Sequence, residues 1–319
     1  MRWPLSPTKV YDPSLGDEVL REAAVRLADG DWAAAEALRG TRDDPWVVNS
    51  VLHEDDTVPI ARFQEWAAIS GSSYSLAHLG HAQLAAAWAM VEQPESNAAS
   101  ETIEGPFATA LRQADATFQD AAALDPAAAE PWVGLMATGR ALQLPIKQIE
   151  ERFVQVHARA SFRFDACLHM LRAMSARQGG THEKMFRLAR WLRHEAPAES
   201  PVHGLLHLAH VEYVLSETEP GLGLDDYLNR VEVAKELKRA ALDYLRASPT
   251  EVTVGHLETL NLLLLTVVPR DALSARAVRE SIRRIDNRAT ELPWSFWGDD
   301  IERQFRTVRD LRARAAKAA

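Results

Sequence analysis

Four histidines lie close together in the sequence and have the spacing of a possible metal site. His203, His207 and His210 are separated by four and then three residues, and His194 precedes them. A helix would place the first three on one face, where imidazole nitrogens can bind a transition metal such as zinc. The alternative interpretation is that the neighbouring leucines pack while the histidines line a groove or face water. The first interpretation predicts a metal-dependent enzyme or a metal-regulated protein. The second predicts a protein without metal chemistry at these residues.

Other titratable residues carry a weaker signal. We interpret His78 and His81 as groove or surface residues, and the run at 53–56 as a solvated helix end. The sequence contains no Gly-x-Gly-x-x-Gly, phosphate-binding Gly-Lys-Ser/Thr, Gly-x-Ser-x-Gly or Cys-x-x-Cys motif. We therefore expect no bound cofactor, and the sequence favours a binding protein over an enzyme without deciding between them.

The elements that position these residues are predicted to be helices throughout. The chain has 319 residues, 47% of them hydrophobic, and it is rich in alanine with few β-branched runs, so local propensity favours an all-α fold. Proline and glycine separate the predicted helices. These helices cover residues 17–30, 31–40, 58–69, 74–91, 106–124, 129–142, 146–160, 162–177, 183–195, 201–216, 224–247, 249–268, 272–292 and 295–316, and a further helix begins at residue 44.

One segment predicts how two successive helical hairpins pack together. Small and aromatic residues alternate there at helical spacing, a proline ends the helix, and an aromatic residue opens the next one: Ala114, Phe118, Ala121, Pro126, Trp132 and Leu135. This spacing resembles that of tetratricopeptide repeats. The central part of the chain also resembles a bacterial tetratricopeptide-like family of unknown function, through Ala87, Trp88, Phe107, Leu111, Ala114, Leu124–Pro126 and Pro131–Trp132.

The resemblance implies a tetratricopeptide-like superhelical array of helical hairpins, an α-solenoid, with degenerate repeats. We expect a single helical-repeat domain over residues 1–319. Residues 1–70 would form N-terminal helices, 71–268 the central repeats and 269–319 basic capping helices.

The same resemblance implies a scaffold or adaptor that binds a protein or peptide in its concave groove. The first helices of the hairpins would line that groove. The candidate binding residues are Gln83, Trp132, Gly139, His203, His207 and His210.

Charge restricts the partners. The net charge of −9 opposes binding to nucleic acid, but residues 269–319 carry a net charge of +4, which leaves −13 on the rest. The last predicted helix could therefore recruit an acidic partner or a second copy of the chain, which would make a homo-oligomer. Its basic residues are Arg303, Arg306, Arg309, Arg312, Arg314 and Lys317.

Aromatic residues stand just before that helix. Pro293 is predicted to place Trp294, Phe296 and Trp297 at its start. They would either bind a cationic or peptide ligand or seal the end of the solenoid.

The compartment follows from the single cysteine and the hydrophobic runs. Cys167 has no partner for an internal disulfide, and its apolar neighbours indicate a buried helix face. No run approaches the roughly 20 apolar residues of a membrane span, and the first residues do not resemble a signal peptide. We expect a cytoplasmic protein without membrane association.

Overall fold

A computed structural model describes most of the chain. The described residues are 11–12, 14, 17–39, 51–52, 58–91, 105–216, 221–247, 252–298 and 300–319. By Cα proximity the chain divides into two compact units. Unit A comprises Asp17–Ala173, and unit B comprises Met1–Gly16 with Met174–Ala319. The domain boundaries predicted at residues 70 and 268 stay predictions.

The described parts of both units are helical, as predicted from composition. Unit A contains α1 (Glu18–Ala28), α2 (Trp32–Glu36), α3 (Ile60–Ser70), α4 (Ser73–Val91), α5 (Pro106–Leu124), α6 (Glu130–Ala141), α7 (Ile146–Arg159) and α8 (Phe164–Met174), whose last residue falls in unit B. Unit B contains α9 (His182–Glu195), α10 (Leu205–Leu215), α11 (Leu224–Leu228), α12 (Val231–Arg246), α13 (Val254–Thr266), α14 (Ala272–Ile285), α15 (Glu291–Trp294) and α16 (Ile301–Ala318). Short 3-10 turns cover Ala176–Gln178, Pro201–Gly204 and Ser295–Trp297.

Local sequence explains where the helices of unit A begin and end. The Asp17 side chain accepts hydrogen bonds from the first backbone N–H groups of α1, and Pro106 occupies the first turn of α5. Gly71 ends α3 in the left-handed conformation. The predicted helix at 106–124 is confirmed residue for residue, and that at 129–142 differs by one residue at each end.

Successive helices of unit A pack against each other. α4 packs against α5, α5 against α6 and α6 against α7, while α4 also contacts α6. The hydrophobic cluster of Ala114, Phe118 and Leu135 lies between these helices, with Leu84 and Trp132 against it. α5 and α6 therefore pack through residues of the segment 114–135, and their arrangement as parts of successive hairpins stays a prediction.

Unit B is organised around α13. All 13 residues of this helix are buried, and α10, α14 and α16 are among the helices that pack against it. Near it, Trp294 donates a hydrogen bond from Nε1 to Asn261 Oδ1 over 2.8 Å. An isolated bridge joins Tyr11 to Ala289.

Several helices of unit B differ from the predicted ones. The predicted helix at 224–247 is two helices, which meet at Asn229 and Arg230. The helix predicted at 272–292 ends at Ile285, because Asp286 and Asn287 adopt positive φ. The last helix begins at residue 301 rather than 295, so the aromatic residues stand before it.

Some predictions fall on residues that the structure does not describe. The helix predicted to start at residue 44 and the acidic run at 53–56 both lie outside the described residues. Among the helices that are described, none combines the length and hydrophobicity of a membrane span.

Candidate functional site

The C-terminal end of α4 is an exposed apolar surface. α4 contains no charged residue, and its residues 84–90 read Leu-Ala-Ala-Ala-Trp-Ala-Met. Ala87 is fully buried, whereas Trp88 is 44% exposed and Met90 is 45% exposed. Ala85, Ala86 and Ala89 are exposed too. We call residues 84–90 the α4 apolar end.

The α4 apolar end borders the first turn of α5. The Trp88 and Phe107 rings meet edge to face, with centroids 5.2 Å apart. Ala87 packs with Ala108 and Leu111 of α5, and Phe107 lies against the same cluster. α5 therefore covers one face of this helix end and leaves tryptophan and methionine partly in solvent.

Two glycines fix the packing of the helices that carry this surface. Gly80 in α4 and Gly134 in α6 both lie against the ring of Phe118 in α5. A Cβ atom would come within 2.7 Å of that ring at Gly80 and closer still at Gly134. The three helices approach this closely because neither position carries a side chain.

A buried ion pair adds α7 to this group. Arg152 Nη1 lies 2.7 Å from Asp115 Oδ1, and Nη2 lies 3.2 Å from Oδ2. The Thr138 hydroxyl donates to the same carboxylate over 2.5 Å, and Arg152 also donates to the Leu135 carbonyl. These contacts link α5, α6 and α7 and leave the guanidinium little exposed.

A second polar cluster of unit A lies at the start of α6 and α8. Arg163 donates to Glu130 over 2.9 Å and to both oxygens of Asp165 over 2.8–3.0 Å. Burial lowers the pKa of Arg163, but the two carboxylates outweigh it and raise the pKa above its usual value. The Arg163 guanidinium and the two carboxylates thus neutralise one another through charge-assisted hydrogen bonds.

The histidines of α4 are neutral at pH 7. His78 is 3% exposed and stacks on Trp66 with ring centroids 5.3 Å apart. Burial lowers the pKa of His78 to about 3 and that of His81 to about 4. The expectation that His78 is a groove or surface residue is wrong, because the Trp66 and Tyr74 rings enclose it.

The binding residues predicted in unit A lie inside the helix packing. Gln83 is 8% exposed, and Gly139 is buried beside Arg152 and Leu144. Trp132 packs against the cluster of Ala114, Phe118 and Leu135. The Arg159 guanidinium lies over its ring, 5.3 Å from the ring centroid. Trp132 and Gly139 thus contribute to the packing of α6 against its neighbours, and Gln83 is buried on α4.

His207 of unit B is buried and neutral. Its Nδ1 lies 2.7 Å from the hydroxyl of Thr266, which donates its own hydrogen to the Leu262 carbonyl. The hydroxyl must therefore accept from His207 Nδ1–H, and His207 Nε2 carries a lone pair with no hydrogen-bond partner among the described groups. Burial lowers the pKa of His207 to about 3.

His210 belongs to a different network. Its Nδ1 lies 2.8 Å from Tyr227 Oη, and its Nε2 lies 3.2 Å from Glu236 Oε2. Arg190 donates to both oxygens of Glu236 over 2.9 and 3.2 Å. Hydrogen bonds from His210 and Arg190 lower the pKa of Glu236 to about 2, while burial raises the pKa of Tyr227. These four side chains form one network of hydrogen bonds that links α9, α10, α11 and α12.

The other two predicted histidine ligands point to further partners. His203 Nε2 donates to the Pro197 carbonyl over 2.8 Å, and His194 is largely exposed beside Glu195. Among the described residues, no group of three or more His, Cys, Asp or Glu side chains is placed to hold a metal ion. The sequence spacing predicted that the histidines share one helix face, but each of them contacts a different neighbour.

The aromatic residues before α16 divide between core and surface. Trp294 is fully buried and contacts Phe305, whereas Trp297 is 38% exposed. Trp297 borders a pocket of about 270 Å³ in unit B. The other lining residues are Val211, Val214, Leu215, Leu222 and Leu224.

Arg306, Arg309 and Arg312, three of the six basic residues of α16, contact other polar groups of unit B. Arg312 is 6% exposed and donates to Asp225 over 2.7 Å and to the Leu265 carbonyl. Arg309 donates to Asn287, and Arg306 pairs with Glu302. The helix thus presents less unpaired positive charge than its sequence indicates.

Sequence reasoning missed the α4 apolar end. The available signal was the absence of any polar residue over 84–91 in a predicted helix. Periodicity alone did not show which part of that run would stay exposed. Comparisons with protein-family models and with curated proteins find no match for this chain.

Proposed function

We propose that this protein is a helical-repeat binding protein that takes up a protein or peptide segment on the α4 apolar end. The observation that carries the proposal is the exposure of Trp88 and Met90 on a helix end without charge. Exposed contiguous apolar surface is costly in water and marks interaction sites in folded proteins. Tryptophan, phenylalanine and methionine are also enriched at protein interfaces.

The chemistry of the surface defines the class of ligand. Since α4 carries no charge, recognition relies on apolar contact with Trp88, Met90 and Phe107. A partner segment with leucine or aromatic side chains at helical spacing would bury this surface. Polar atoms at its rim would be satisfied by water or by the partner.

The packing of unit A supports the tetratricopeptide-like part of the proposal. α4 and α6 contact each other, and α5 packs against both. In an array of helical hairpins, α4 and α6 would be the first helices of successive repeats, with Phe118 filling the space between Gly80 and Gly134. The α4 apolar end would then lie on a first helix, the class of helix that lines the binding face.

Site-specific photo-crosslinking tests the proposal. A photoreactive benzoylphenylalanine replaces Met90 in one version of the protein and Val154 in the control. Val154 is 59% exposed on α7 in the same unit. We expect a discrete crosslinked product from position 90 that is absent from position 154 and is lost when Trp88→Ala is added.

The outcomes separate cleanly. The crosslinked segment is identified by mass spectrometry and its direct binding is measured with purified components. A crosslinked second copy of the chain would make self-association the form of binding. Absence of a product at position 90, or identical products at both positions, would overturn the proposal, provided that circular dichroism shows native helicity.

A further inference from the structure

His256 connects two parts of unit B that are far apart in sequence. It lies in the first turn of α13, and its side chain is 7% exposed. Its Nε2 lies 3.0 Å from the carbonyl oxygen of Glu199, in the connection between α9 and the Pro201–Gly204 turn. Its Nδ1 lies 3.1 Å from the backbone nitrogen of Thr253, at the N-cap of α13.

These two contacts fix the protonation state of the imidazole. A carbonyl oxygen only accepts, so His256 Nε2 must carry the hydrogen. A backbone N–H only donates, so Nδ1 must present its lone pair to Thr253. The Thr253 hydroxyl, 2.8 Å away, contacts the same nitrogen. The arrangement therefore requires a neutral ring in a single tautomer.

Protonation would break the arrangement at Nδ1. The added hydrogen would face the Thr253 N–H. The N-terminus of α13 would then lose the half of its capping box in which His256 Nδ1 accepts from the Thr253 backbone. A positive charge in the first turn also opposes the helix dipole. Burial lowers the pKa of His256, and the hydrogen bond to Glu199 partly offsets that effect.

The neighbouring groups determine how firmly the connection is held. Glu199 is the charged residue that acts on His256 from the connection, while His203 lies in the Pro201–Gly204 turn and Glu258 lies on α13 itself. Two further contacts tie the same region, from His203 to the Pro197 carbonyl over 2.8 Å and from Thr259 to the Pro201 carbonyl over 2.6 Å.

We infer that His256 is an acid-sensitive latch, which holds residues 197–200 against the N-terminus of α13 when neutral and releases them when protonated. The inference is independent of the binding function of α4. It predicts a local opening on mild acidification, with α14 remaining folded.

Hydrogen exchange at pH 7.5 and pH 5.5, corrected for the intrinsic pH dependence of amide exchange, tests this inference. We expect exchange in peptides covering 197–204 and 252–258 to accelerate several-fold at the lower pH, while peptides from α14 serve as the internal reference. His256→Gln is the matched variant, because Thr253 followed three residues later by glutamine completes a capping box that does not titrate. His194→Gln, at an exposed position, controls for the loss of a histidine.

The expected result is acceleration in wild type and in His194→Gln but not in His256→Gln. Equal acceleration in His256→Gln, or none in wild type, would overturn the inference. If His256→Gln does not fold, the histidine nitrogen spectrum of wild type decides. The latch requires an Nε2–H tautomer at pH 7.5 and loss of Thr253 amide protection at the midpoint of His256 titration. A different tautomer, or protection that persists through that midpoint, would refute it.

Discussion

At the scale of single residues, the structure separates side chains that are buried in the helix packing from side chains that are exposed to solvent. Phe118 of α5 touches two glycines from different helices, whereas Trp88 of α4 is 44% exposed to solvent. Both residues are aromatic and both stand in alanine-rich helices. Their surroundings, rather than their residue types, assign one to the core and the other to the candidate interface.

The contact between Gly134 and Phe118 gives a prediction in which two effects oppose each other. Helix propensity alone makes Gly134→Ala stabilising by about 1 kcal/mol. The added methyl group would meet the Phe118 ring, and overpacking of this kind costs about 1–3 kcal/mol. We expect net destabilisation, measured as a lower urea midpoint.

Phe118→Leu provides the partner for a double-mutant cycle. The Gly134→Ala change should cost less in the Phe118→Leu background, because the ring that it meets is gone. An unchanged or raised midpoint for the single Gly134→Ala variant would contradict the contact.

Metal content tests the alternative role of the histidines. Because His203, His207 and His210 each bond to a different group, we expect purified, dialysed protein to contain only substoichiometric zinc, iron or nickel by elemental analysis. One equivalent per chain, lost in a His203→Ala/His207→Ala variant, would restore the metal-site hypothesis.

At the scale of elements, a buried polar contact adds to the apolar packing and joins helices that are not consecutive in the sequence. The Asp115–Arg152 pair joins α5 to α7, and Thr138 of α6 contacts the same carboxylate. An equally charged pair on the surface of α9, Glu183 with Arg187, spans 3.8 Å and is exposed on both sides. The two pairs differ mainly in solvent access.

Removing one cation from each pair shows this difference. Arg152→Met leaves a buried carboxylate without its partner, which typically costs about 3–5 kcal/mol. Arg187→Met removes an exposed cation, with an expected cost of about 0–1 kcal/mol. The free energies of unfolding in urea should differ accordingly, and equal values for the two variants would contradict the structural role of Arg152.

The sequence predicted helix positions better than helix faces. Pro106 at the start of α5 and the glycine after α3 mark boundaries by local chemistry that does not depend on neighbours. α10 is largely apolar and α13 is buried on every side, so periodicity could not show which histidines would face solvent. Which end of α4 stays exposed depended on tertiary packing, and sequence spacing carried no information about it.

At the scale of the whole molecule, buried neutral histidines make stability depend on pH. Burial lowers the pKa of both His78 and His207 to about 3, against about 6.5 in an unfolded chain. The unfolded chain therefore binds more protons below pH 6.5, so acidification favours unfolding. The stabilisation is fully present above pH 6.5 and is lost as the pH falls towards 3.

The size of the effect can be estimated at pH 5. Each of the two histidines should then contribute about 2 kcal/mol less to stability than at pH 7.5. The urea midpoint should be much lower at pH 5 than at pH 7.5. The His194→Gln variant, which lacks an exposed histidine, should show the same decrease as wild type. Equal midpoints at pH 7.5 and pH 5 would contradict the burial of His78 and His207.

The most direct test of the proposed function is the affinity of the crosslinked segment for purified protein. A hot-spot tryptophan typically contributes 2 kcal/mol or more, so Trp88→Ala should weaken binding by about thirtyfold, whereas Val154→Ala should leave the Kd unchanged. Both variants should retain wild-type helicity. Equal Kd values for wild type and Trp88→Ala would show that the α4 apolar end is not the binding surface.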